Sequence, residues 1–564
     1  MLIATLFDEA EIHGDALGTL PPIEEARRIF VDAQLQAPDA IDELLLNPQV
    51  GGWAAYVMRR WRGMTRGCPP LWVDFGGLHV LSLLAAARAG LTWRTRLPHR
   101  QGRLLLFGMG MAEFSDIHAD DLIDAESYAG RITLAARNSR IEIFEGEPVK
   151  QPQWREARGI SVGGDLELHV CLDDLDPFRD LADPIPPEPL DDAAASRWQK
   201  LLDEAWSILC DHHRETAEAV SVGVVSLVPL PIGDARETRS ASSGESFGRV
   251  MVSPPPDAVT LAVAIVHEFQ HIKLGGLMHL TRLTIGDEIS CLYAPWRDDP
   301  RPIGGLLQGV YAFFGIAAFW RRQRGAESGA DRRLADFEYA YARSQAREGI
   351  SGVRESDSLT DEGCALIDGL SACLEAWLSD VLDPMATAAM RIVADYHRAG
   401  WRIRHQVVND GDIDMLEAAW HDGRPAVLRT ERPRVVPALP IRWSYRMIEL
   451  ARRRILASDT PVDSERVSTR LEREIHDADL ALFDGECDTA AKLYAGAVRE
   501  ECADLDAWAG LAVAADMCGL DAASRALRRR PEIVRALYFK LTDSNPAVDP
   551  IRIAGWLGGA VLDH

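Results

Sequence analysis

Residues 258–271 read Ala-Val-Thr-Leu-Ala-Val-Ala-Ile-Val-His-Glu-Phe-Gln-His, an apolar run that ends in an H-E-x-x-H pattern. Leu261 to Val266 is unbroken in its apolar character, Pro254-Pro255-Pro256 stops whatever precedes it, and Asp257 stands where an N-cap belongs. The pattern predicts a buried helix beginning near Ala258. Positions i and i+4 of a helix share a face, so His267 and His271 can hold one cation, with Glu268 beside it as general base or supporting partner. A buried imidazole pair needs partners, which a metal would supply. The plainer alternative is an ordinary helix whose two core histidines are satisfied by carboxylates or carbonyls. His279, two turns past His271, reads as a surface or packing residue.

Upstream, Val222 to Leu230 and Phe247 to Val252 are short apolar, β-branched segments that predict strands, with Ser240 to Ser246 as a loop between them. Between Gly130 and Val170 the chain alternates, as in Arg140 to Phe144 and Asp165 to Val170, which predicts a small antiparallel sheet. Asp173 to Pro189 is rich in Asp and Pro and marks a boundary before a Trp198 to Glu218 helix. Nearer the N-terminus, Ile41, Leu44 and Leu45, then Val50, Trp53, Ala54, Val57 and Met58, recur at helical spacing around a break at Gly51-Gly52; Leu78 to Gly90 is another helix.

Far downstream, Leu471 to Phe483, Ala490 to Arg499 and the segment opening at Leu505 are amphipathic and joined by turns such as Asp484-Gly485-Glu486, a tetratricopeptide-like pattern. The expected fold is α+β and mostly α-helical. Its expected parts are a helical N-terminal region (1–120), a β-rich connection (121–195), a helical metal-binding core (196–410), a linker and helix (411–465), and tetratricopeptide-like helices (466–564).

At 564 residues and 47% hydrophobic content, the chain can bury a large core in several packed units. Lys and Arg number 61 against 86 for Asp and Glu, and the formal charge of −25 argues against nucleic acid as a partner. The nine cysteines are scattered with no CxxC pair, which suggests reduced thiols in the cytoplasm. Asp8 and Glu9 stand where a secretory signal would be basic. Gly304 to Trp320 lacks charge over 17 residues, but its length and internal glycines favour a buried helix over a membrane span.

A metal site needs a third protein ligand. The candidates are Asp298 and Asp299, in a Pro- and Arg-rich loop, and Glu338, in the helical segment Asp336 to Tyr341. A helix-borne carboxylate facing an H-E-x-x-H helix is the arrangement of one large zincin group, which puts Glu338 first. The loop Tyr293-Ala-Pro-Trp-Arg-Asp-Asp-Pro-Arg-Pro302 is dense in Pro, Arg and aromatics. Held rigid by Pro, it can present an Arg fork to a carboxylate; its plainer use is a structural Arg–Asp network.

Through Ala258 to Leu277 with the His267–His271 core, Tyr293 to Gly309, Ala317 to Arg321, Phe337-Glu338, Pro48 to Arg62 and Asp506 to Leu511, the chain resembles the H-E-x-x-H peptide-modification family. That family is found in gene clusters for ribosomally made, post-translationally modified peptides, sometimes fused to radical SAM enzymes. The resemblance implies an iron(II) and 2-oxoglutarate-dependent oxygenase that hydroxylates the β-carbon of residues in a precursor peptide. It implies that His267 and His271 ligate iron and that an acidic residue completes the set, Glu338 leading and Asp298 or Asp299 behind. Arg297, Arg301 or Arg343 would take the distal carboxylate of 2-oxoglutarate. With no cysteine triad for a cluster, a radical SAM partner would be a separate protein. The motif read by itself offers a zinc metallopeptidase instead, with Glu268 as base on a metal-bound water. A third reading makes the helical ends a scaffold that grips a peptide.

Overall fold

The apolar periodicities fold into helices and the alternating segments into small sheets, so the chain has the mostly α-helical α+β fold expected of it. It is seen in a computed structural model that describes residues 2–14, 18–65, 69–115, 117–144, 146–180, 183–231, 238–286, 291–428, 434–436, 446–457, 477–544 and 548–559. Within the expected linker and helix (411–465), residues 429–433, 437–445 and 458–465, and with them residues 466–476 at the start of the expected tetratricopeptide-like region, lie outside the described residues. Two compact units divide at Gly276 and Leu277.

The first unit opens with helices Leu2–Ile12, Ile23–Gln36, Pro38–Leu45, Pro48–Trp61 and Gly77–Arg88, whose Phe30, Ile41, Trp53 and Leu81 share one core with the strands that follow. The Pro48–Trp61 helix has Pro at its first position and Asn47 as cap, accepting from the Gln49 amide. It runs straight through Gly51-Gly52, where the sequence predicted a break. A Cβ on Gly51 would fall 2.1 Å from the Glu245 carbonyl oxygen, and one on Gly52 would fall 2.9 Å from Ser246 Oγ. The glycines therefore serve close approach to the segment preceding the Arg249 strand and do not end the helix.

Strands begin at Trp93, so the helical N-terminal region is shorter than the 120 residues expected. Trp93–Leu97, Ile123–Tyr128, Arg131–Ala136 and Ser139–Phe144 pair antiparallel in that order. Arg103–Leu106, Gly110–Glu113 and Trp154–Glu156 form a second antiparallel sheet. The third, in the order Ser240–Ala241, Arg249–Val252, Ser226–Pro229, Glu167–Leu172 and Arg158–Gly163, is mixed. The alternating segments near Arg140 and Asp165 thus lie in different sheets. Two helices, Asp192–His212 and Arg214–Gly223, occupy the span expected of one and carry the chain from Glu167–Leu172 to Ser226–Pro229. That long crossover is what makes the two strands parallel. The expected strand from Val222 starts later, since the helix reaches Gly223, where the Phe269 ring would meet any Cβ.

Arg249, the first residue of its strand and 1% exposed, lies 2.6 Å from an Asp176 oxygen and 3.2 Å from an Asp173 oxygen. Gln49 donates to the other Asp173 oxygen and accepts from the Gly108 amide. Burial pushes the Asp176 carboxyl up to about 6 against the pull of Arg249.

In the second unit, helices Ile303–Gln323 and Gly329–Arg354 pack as a pair, followed by Asp361–Ala376, Pro384–His405, Asp410–His421 and Arg446–Ala457. The C-terminal helices Asp477–Phe483, Cys487–Glu500, Leu505–Met517, Asp521–Arg529, Pro531–Ser544 and Pro550–Gly558 close a large core around Trp508, Tyr494 and Tyr538. Gly510 lets the Tyr494 ring sit against its backbone. Among the described residues, two helical stretches, Leu71–Arg88 and Ile303–Gln323, are long and apolar enough to cross a membrane; 78% and 50% of their most apolar 18-residue windows, respectively, is buried within the protein.

Candidate metal centre

The motif helix runs from Ala258 to Leu280, and the Asp257 carboxylate caps it by accepting from the Thr260 amide at 2.7 Å. Leu261, Ile265, Val266, Phe269 and Ile272 are buried and fix the helix by its apolar face. Phe269 packs on Gly223. That seating turns His267 and His271 to one side, with ring centroids 4.8 Å apart and planes at 84°.

Their Nε2 atoms are 3.2 Å apart. Two nitrogens each about 2.1 Å from one ion subtend an angle of about 100° at that separation, between the octahedral and tetrahedral values. The donor chemistry and the spacing therefore fit a metal held by both rings. Burial, then the neighbouring His271, pushes His267 down to about 3, which keeps it in the neutral form that ligates. The His267 side chain keeps 21% of its surface exposed, so the pair remains open on one side.

Glu268 differs sharply from its neighbours. It is 2% exposed, and each carboxylate oxygen accepts a hydroxyl at 2.6 Å, Oε1 from Ser240 and Oε2 from Ser242. Burial raises its pKa, and the two serine bonds work against that rise. Oε1 lies 3.8 Å from His267 Nε2. The composition of Ser240 to Ser246 predicts a loop, which hides the role of these serines. Ser240 and Ala241 instead form an edge strand paired with Met251 and Val252. In an extended segment residues two apart share a face, so Ser-Ala-Ser aims both hydroxyls the same way. The signal was available in that spacing.

The remaining expected site residues belong to the second unit. Glu338, on Gly329–Arg354, is held through both oxygens by Arg452, at 2.6 and 3.1 Å. Arg343 is buried, stacked 4.9 Å over the Tyr339 ring and donating to the Trp377 carbonyl at 2.5 Å. Arg297 and Arg301 both reach Asp299, at 2.8 and 3.3 Å. Partial burial acts to raise Asp299, but the hydrogen bond and charge of Arg297, with the charge of Arg301, hold it below the ordinary carboxylate value. Their loop is closed at its base by reciprocal Leu292–Arg301 backbone bonds at 2.8 and 2.9 Å. Trp296 pins it, stacked on Phe313 and filling the space beside Gly309 and Gly349. His405 meets the Asp298 carbonyl at 2.6 Å and Gln345 donates to the Pro295 carbonyl. His279 is exposed, as its position suggested.

Compared with known proteins, the chain matches no family model and no curated protein.

Proposed function

We propose that this protein is an iron(II) and 2-oxoglutarate-dependent oxygenase that hydroxylates the β-carbon of a residue in a ribosomally made precursor peptide, acting in the cytoplasm. The observation that carries the reading is the contrast within the motif: His267 and His271 converge on one point while Glu268 is buried under two serine hydroxyls. A peptidase needs its glutamate free to take a proton from a metal-bound water. Here both Glu268 oxygens already accept strong hydrogen bonds, which suits a group that supports its neighbours.

His267 and His271 would hold the metal, and a carboxylate from outside the helix would complete the set. Among the candidates, Glu338 would have to leave Arg452 to serve. Iron(II) with 2-oxoglutarate and oxygen supplies, when bound, the oxidation of an unactivated C–H bond to an alcohol, with succinate and carbon dioxide as the other products. The part left to this chain is to hold the ligands, orient the peptide and bind the cosubstrate's distal carboxylate. Arg297 and Arg301 suit that last task. Arg297 is 49% exposed and Arg301 34%, and an exposed ion pair with Asp299 is worth only about 1 kcal/mol or less, so exchange for a ligand carboxylate is cheap. Any radical SAM enzyme acting on the same peptide would be a separate partner.

The test is anaerobic reconstitution with iron(II) and 2-oxoglutarate, read by the metal-to-cosubstrate charge-transfer band, followed by oxygen and a succinate assay. The reading predicts both signals and partial retention of turnover in Glu268→Gln. Tight zinc occupancy with neither signal, together with peptide cleavage abolished in Glu268→Gln, would establish the zinc metallopeptidase instead.

A further inference from the structure

Away from the histidine pair, Cys487, Asp488 and Cys518 converge so that their sulfur and carboxylate oxygen atoms all lie within 4.8 Å of one another. Cys487 and Asp488 open the Cys487–Glu500 helix, and Cys518 caps the end of Leu505–Met517. These helices are packed neighbours, so the first turn of one meets the last turn of the other. The cysteines are far apart in sequence and in no ligand motif, which is why spacing alone did not single them out.

We propose that Cys487, Asp488 and Cys518 form a second cation site, for a thiophilic divalent ion of the zinc class, with water in the fourth position. Two sulfurs and a carboxylate oxygen are a donor set that zinc accepts. Metal bonds of about 2.3 Å to sulfur and 2.1 Å to oxygen place tetrahedral ligand atoms about 3.5–3.8 Å apart, so closure asks for an inward movement of about 1 Å. The half-exposed cysteines and exposed Asp488 have room for that movement and leave a face for water. Binding replaces the two S–H protons by two metal–sulfur bonds and releases both protons to solvent, with no change of oxidation state.

The competing use of two adjacent thiols is a disulfide. Asp488 has no role in an S–S bond, whereas it completes a cation site.

Cobalt(II) titration of the reduced full-length protein tests this, because only sulfur ligands give a thiolate-to-cobalt charge-transfer band. In a His267→Ala/His271→Ala background, where the histidine pair cannot compete for cobalt, the band should persist and saturate at one equivalent with two protons released, which separates this site from the histidine pair. Cys518→Ser should abolish it, and Asp488→Asn, a surface change that leaves the fold intact by circular dichroism, should weaken binding at least tenfold. The proposal is overturned by the absence of a band, by a band that survives Cys487→Ser/Cys518→Ser, by unchanged affinity in Asp488→Asn, or by a Cys487–Cys518 disulfide that forms in the presence of cobalt and excludes it.

Discussion

Replacing Ser240 or Ser242 by Ala removes a 2.6 Å hydroxyl donor from a carboxylate that is 2% exposed. A hydrogen bond to a charged group contributes about 1.5–3 kcal/mol, so each single substitution should cost that much and the pair about 3–6 kcal/mol. The loss should depend on pH. Glu268 already titrates above its ordinary value because of burial, and taking away donors to its ionised form raises it further. A carboxyl whose folded pKa is raised loses stability as pH climbs through that value, so the deficit should be larger at pH 8 than at pH 5. Urea denaturation of the full chain at several pH values measures it, with Ser207→Ala, an exposed helical position, as a control expected within about 0.5 kcal/mol of the parent. A double-mutant cycle of Ser242→Ala with Glu268→Gln should show a coupling of at least about 1 kcal/mol. Coupling near zero, or a deficit that does not vary with pH, would refute the idea that the serines hold Glu268 as an anion.

Three further outcomes follow from other parts of the molecule. Burial pushes His79 down to about 4, against the pull of its bond to the Pro21 carbonyl. The unfolded state therefore takes up the proton first, and stability should fall by about 3 kcal/mol as pH drops from 6.5 to 4. His79→Gln should remove that share of the slope, and an unchanged pH profile would count against it. Gly309→Ala puts a Cβ 2.0 Å from Trp296 Cζ2, and overpacking should cost about 1–3 kcal/mol with a shift in tryptophan emission; parent-like stability and emission would show that the loop is not pinned there. Glu338→Gln should cost about 1.5–3 kcal/mol by weakening the two hydrogen bonds from Arg452 to a carboxylate that is only 13% exposed, and leave metal affinity nearly intact by calorimetry. A collapse of metal affinity would instead put Glu338 in the ligand set.

The motif helix was legible because its start is written locally: three prolines, an Asp cap that engages Thr260, and an apolar run. The Ile303–Gln323 helix was legible for a similar reason, an uncharged apolar run opening straight after Pro302. What could not be read was whatever depends on partners distant in sequence. Gly51-Gly52 looks like a helix break until Glu245 and Ser246 are seen lying against it. The parallel pairing of Ser226–Pro229 depends on where the crossover helices return the chain, which strand propensity does not encode. Glu338 reads as a candidate ligand on its own helix, yet its partner Arg452 is more than a hundred residues away. The serine pair lay between these cases, visible as Ser-x-Ser but obscured by its loop-like composition.

Ser240 and Ser242 flank Ala241 on an edge strand registered against Met251 and Val252. Because side chains alternate, a one-residue insertion between Ser242 and Arg249 that shifted this register would turn both hydroxyls away from Glu268 together. Length changes before Ser240, in contrast, leave the register alone. Chains that share this centre should therefore vary freely in the length of the preceding connection while keeping the Ser-x-Ser pair at a fixed offset from H-E-x-x-H. That offset offers a search pattern more selective than the pentapeptide.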